Sequence, residues 1–157
     1  NIDEDYLDVV KPALLKSEKI KTNVISLKLP NGKIITGKET NLLSPASSVI
    51  LNAIKDLTKI PDEINLLSPS VLEPIFKTRG KDLNSNNPLQ LDEVMIALSI
   101  CSVTNSMIEK ALTALSLLKD CEAHATYMVT NGDLKSLKKL GIILTCEPVF
   151  YSENLFY

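Results

Sequence analysis

The 157-residue chain has no tryptophan, only three phenylalanines and four tyrosines, and a single histidine. A domain this poor in aromatics must pack on aliphatic side chains. A metal centre with one histidine would have to draw on carboxylates from distant segments, so no metal site is expected. Charge of one sign is lacking too: 17 basic residues stand against 19 acidic ones, for a net charge of −2. That excludes the basic footprint of a dedicated nucleic-acid binder. No apolar run approaches the roughly 20 residues of a membrane-spanning helix. The start, Asn1-Ile2-Asp3-Glu4-Asp5, is acidic where a secretory signal is basic. Three cysteines (Cys101, Cys121, Cys146) form no paired spacing, which fits free thiols in a reducing cytoplasm. P-loop, dinucleotide-binding and His-Glu-x-x-His patterns are all missing, so no cofactor is evident. The expectation is a cytoplasmic protein with neither nucleic acid nor membrane as partner.

What is present is globular. Hydrophobic residues make up 45% and charged residues 23%, and a single domain over 1–157 buries about 70% of its unfolded surface. The first residue is not Met, and the chain is expected to be part of a longer protein. Asp3 to Lys19 reads as a helix interrupted by Pro12, with Ile2, Tyr6, Val10, Ala13 and Leu14 near one face. Two alternating segments around Pro30-Asn31-Gly32 read as a hairpin, because Asn-Gly supplies positive φ angles.

The pentapeptide Asn-Leu-Leu-Ser-Pro occurs twice, at 41–45 and 65–69. Each copy is a helix entry with Ser at the N-cap and Pro at the first helical position. The first of these helices is expected to run to Leu57, the second to be kinked by Pro74 and to end near Gly80. Lys81 to Pro88 reads as a loop rich in Asn and Ser. Asp92 to Val103 is apolar nearly all round, the mark of a central helix buried on most faces. Ser106 to Lys119 reads as a further helix. His124–Val129 and Ile142–Cys146 read as parallel strands joined by a helix over Asp133–Leu140. The expected class is α+β: an N-terminal helix and hairpin, a central block of about four helices and a C-terminal βαβ unit. Together they form a small mixed sheet with helices packed on it.

Two constellations can carry chemistry. Alternation along neighbouring strands brings Glu122, His124 and Glu147 to one face, an acid–base group. Thr36-Gly37-Lys38 followed by Ser44, Ser47 and Ser48 places hydroxyls and an amine at a helix N-terminus, an anion-binding candidate. Phe150, Tyr151, Phe156 and Tyr157 crowd the last eight residues. An aromatic tail of this kind is expected to dock on its own domain or on a partner.

Four runs, Ile64–Ile75, Asp92–Ile100, Lys119–His124 and Lys139–Pro148, together resemble the C-terminal part of the bacterial uncharacterised protein family 0371 (domain of unknown function eighteen-forty-six). The resemblance implies a longer protein whose N-terminal α/β half carries a glycine-rich, P-loop-like segment with no counterpart here. Some family members are labelled zinc proteases, and no helical pair of metal-binding histidines supports that label in this chain. The reading is a non-catalytic C-terminal domain that packs on an N-terminal nucleotide- or phosphate-binding half, mediates self-association, or both. Its rivals are a domain lending acid–base residues to a shared active site of a phosphate- or nucleotide-handling enzyme, and a small-anion binding module.

Overall fold

The computed structural model describes residues 4–80 and 88–147. The expected loop, apart from Pro88, lies outside the described residues, as do Phe150, Tyr151, Phe156 and Tyr157. In chain order the elements are α1 (Glu4–Ile20), β1 (Val24–Lys28), β2 (Ile34–Lys38), α2 (Pro45–Leu57), α3 (Pro69–Gly80) and α4 (Leu91–Cys101). There follow α5 (Ser106–Thr113), a 3₁₀ segment (Ala114–Leu118), β3 (Glu122–Ala125), α6 (Asn131–Lys139) and β4 (Ile143–Cys146). The fold is α+β, with a four-stranded mixed sheet in the order β2-β1-β3-β4. β1 pairs antiparallel with both β2 and β3, and β3 pairs parallel with β4.

Local chemistry sets the boundaries. In the hairpin only Gly32 takes a positive φ, +90°, and a three-residue loop closes between the Leu29 amide and the Lys33 carbonyl at 2.8 Å. Both copies of the repeated pentapeptide start helices, with Pro45 and Pro69 as first residues. In the first, Ser44 Oγ accepts the Ser47 amide at 3.2 Å. Gly37 answers a packing demand, because a Cβ there would meet the Val49 backbone nitrogen at 2.2 Å. The glycine therefore lets α2 lie flat on β2.

Some expectations need correction. α1 runs through Pro12 without a break, and its buried stripe is centred on Val9 and Ala13, with Leu14 and Leu15 exposed. α3 carries Pro74 inside its span. The first strand of the βαβ unit spans Glu122–Ala125 and stops well before Val129. Its antiparallel neighbour begins at Val24, so beyond Thr126 the chain has no strand to pair with on that side. The helix from Ser106 tightens into 3₁₀ after Thr113. α4 is not buried on most faces: Leu91, Val94, Ala97 and Leu98 point inward, while Ile96 and Ile100 are 61% and 67% exposed.

The sheet separates two environments. On one face Ile25, Leu27, Ala123 and Ala125 join residues of α2, α4, α5 and α6 in a continuous aliphatic core. The other face carries Ser26 and His124, side by side in the β1–β3 register, and Thr145 opposite His124 on β4. α1 covers that face, and the Ser26 hydroxyl donates to the Val9 carbonyl.

Candidate functional site

His124 is completely buried beneath α1. Its Nδ1 lies 2.6 Å from Thr145 Oγ1 and its Nε2 lies 2.9 Å from Glu147 Oε2. A neutral ring satisfies both contacts when Nε2–H donates to the carboxylate and Nδ1 accepts the hydroxyl. Burial holds the imidazole below its ordinary range, and the Glu147 carboxylate opposes that only in part. The parallel register explains the meeting, since Thr145 faces His124 and Glu147 follows two residues on, on the same side. Glu122 faces Ile143, two residues before His124, so the two carboxylates bracket the ring from opposite ends of the row. The ring has no exposed surface, and both of its nitrogens are engaged within the domain. The arrangement is that of a buried polar clamp.

The second constellation divides. Ser44 and Ser47 are sealed under the segment before α4. The Ser44 amide donates to the Leu89 carbonyl at 3.0 Å, and Ser47 Oγ donates to the same oxygen at 2.9 Å. Buried Asp133 closes the junction by accepting the Leu91 amide at 2.8 Å, and burial raises its pKa. The first turn of α2 is thus taken up by the protein itself. Ser48 and Lys38 sit elsewhere, on a cavity of about 220 Å³ between the end of β2, α2 and the Asn65–Leu67 segment. Thr40, Asn52, Lys55 and Asn65 line it as well.

Lys55 and Asp133 escaped the sequence reading. Ser44, Ser48, Asn52 and Lys55 recur at helical spacing from the N-cap of α2 along one side of it, and that polar stripe is the available signal. Asp133 reads in sequence as an ordinary acidic first-turn residue, and only the meeting of α4 and α6 gives it a partner.

Among the described residues no group of three or more His, Cys, Asp or Glu is placed to hold a metal ion. All three cysteines are unpaired, and burial raises the thiol pKa of Cys121 and Cys146. No described helix is long and apolar enough to cross a membrane.

A family model described as domain of unknown function DUF1846, C-terminal, matches residues 5–156. The chain is 41% identical over 166 residues to a UPF0371 protein of Clostridium tetani, covering 100% of this chain and 33% of that protein. A UPF0371 protein of Clostridioides difficile is 42% identical over the same length and coverage. One from Clostridium botulinum is 44% identical over 158 residues, covering 95% of this chain and 32% of the relative. The chain therefore spans about a third of the length of the curated relatives it matches.

Proposed function

The chain belongs to the family described as domain of unknown function DUF1846, C-terminal, and from that premise we propose that it is a non-catalytic packing domain. Its docking partner is the remainder of a protein about three times its length. The observation that carries this reading is the outer face of α4 and the turn after it. Ile96 and Ile100 lie four residues apart on α4, and Val103, in the turn that follows, is 82% exposed. Scattered exposed aliphatics are ordinary, but three large ones within eight residues of one segment are what a covered surface carries. The relatives supply some two thirds of their length beyond the matched region, enough for a whole domain to cover it. Packing on a phosphate- or nucleotide-handling half, as the family resemblance implies, is the form of this reading we favour.

The test uses the protein at its natural length. Cysteines introduced as Ile100→Cys and, on exposed α6, as Lys138→Cys are compared for reaction with a thiol reagent, read by peptide mass spectrometry. The docked face predicts that position 100 reacts about tenfold more slowly than position 138. Equal rates would sink the proposal. Slow reaction that becomes fast on dilution of the protein would transfer the face to a second copy of the chain.

The rival in which His124, Glu122 and Glu147 supply acid–base chemistry has the 2.9 Å contact in its favour. Complete burial of the ring argues for a structural role instead.

A further inference from the structure

We infer that the cavity between β2, α2 and the Asn65–Leu67 segment binds the phosphate group of a small ligand. Two observations independent of the helix terminus point there. Ser48 is 8% exposed, and its Oγ has no hydrogen-bond partner among the described residues. Buried hydroxyls are almost always paired, and an unpaired one marks a place where a water or ion belongs. Lys55 is 6% exposed, and its Nζ donates to the Asp62 carbonyl at 2.8 Å. An ammonium has three donors, and a buried one is costly without a counter-charge. Among the described residues neither Lys55 nor Lys38 has a carboxylate within ion-pair distance. No residue lining the cavity is acidic.

The remaining lining groups suit an oxyanion. Thr40 Oγ1 accepts the Leu42 and Leu43 amides at 3.3 and 2.9 Å, which leaves its O–H to donate. Asn65 lies at the rim, and Asn52, whose Nδ2 gives one hydrogen to the Thr36 carbonyl at 2.9 Å, has a second amide hydrogen to offer. Lys38 is exposed at the end of β2 and lines the same cavity. Two amines, two hydroxyls and two amides around one small space are the donors by which phosphate is held.

Size narrows the ligand. About 220 Å³ is below the usual range for a whole cofactor or nucleotide. A neighbouring cavity of about 380 Å³ shares Lys38 and Asn52 and is lined by Lys16, Lys33, Asp56 and Asp62. Lys33 and Asp56 pair there at 2.5 Å. A phosphomonoester can place its phosphate beside Ser48 and its polar remainder in this second space. The site is distinct from the sealed start of α2, and it stands or falls independently of how the domain packs in the longer protein.

The experiment follows acylation of individual lysines by an N-hydroxysuccinimidyl acetate, read by peptide mass spectrometry on the protein at its natural length. Inorganic phosphate at about 10 mM is compared with sodium chloride of equal ionic strength. Phosphate is expected to slow labelling of Lys38 about fivefold and to leave Lys138 and Lys139 on α6 unchanged. Ser48→Ala and Lys55→Met each weaken the apparent affinity about tenfold, the loss of one charge-assisted hydrogen bond. If Lys55→Met does not fold, Ser48→Ala decides alone. Unslowed Lys38, equal slowing on α6, or unchanged protection in Ser48→Ala would each overturn the inference. Glycerol phosphate serves as a second probe. Tighter protection by it identifies a phosphomonoester as the ligand, and equal protection identifies free phosphate.

Discussion

The two faces of the sheet are made by alternate residues of the same strands, yet they are held by different forces. Ile25 and Leu27 point into the aliphatic core, while Ser26 between them points to α1. Ala123 and Ala125 likewise join that core, with His124 between them on the polar side. The aliphatic face is stabilised by area and close fit, which are non-directional and tolerate no lost volume. The face under α1 depends on a chain of polar partners: Ser26 to Val9, and Thr145 and Glu147 to His124. Such a network stabilises only while every member is satisfied.

That contrast can be broken from either side. Ile54→Ala removes a fully buried side chain from the aliphatic face. It should destabilise by about 2–5 kcal/mol in urea unfolding, with little dependence on pH. Thr145→Val keeps the shape but leaves His124 Nδ1 without its hydroxyl, and about 1–3 kcal/mol is expected. A loss as large as that of Ile54→Ala would mean that α1 and the aliphatic core are not separable.

The smallest effect is the most diagnostic. The folded-state pKa of His124 lies below its unfolded value, so the unfolded chain binds more protons between the two. The stability due to the neutral ring is fully present above about pH 6.5 and is lost as pH falls below it. The melting temperature should drop by a few degrees between pH 7 and pH 5, and His124→Gln should flatten that part of the profile. An unchanged profile would mean that His124 does not act as a buried neutral clamp.

Much of this architecture was legible beforehand because it rests on local chemistry. Pro30-Asn31-Gly32 made a turn, the two Ser-Pro entries made helices, and the connection over 130–141 was long enough for a parallel crossover. α4 differs from the expected buried helix because periodicity cannot tell such a helix from one with a bare outer face. Both show apolar residues all round, and only the neighbours decide. The strand end at Ala125 was missed for a similar reason, since pairing stops where the partner strand stops. At the candidate sites, alternation correctly placed His124 and Glu147 together, but burial under α1 could not be read from spacing. Sequence does not mark Lys55, because a lysine on a helix is ordinarily solvated, whereas here it is buried with its Nζ on the Asp62 carbonyl.

Scarcity of aromatics, balanced charge and turn chemistry determined by themselves that this chain is an aliphatic α+β domain, since each acts within a few residues or on the whole composition. Tertiary structure alone decided which polar groups lost water. Ser44 and Ser47 were sealed by a segment more than 40 residues away, whereas Ser48, one position on, was left facing a cavity with two lysines. Desolvation depends on what packs against a group from elsewhere in the chain, and that is where the chemistry of this domain resides.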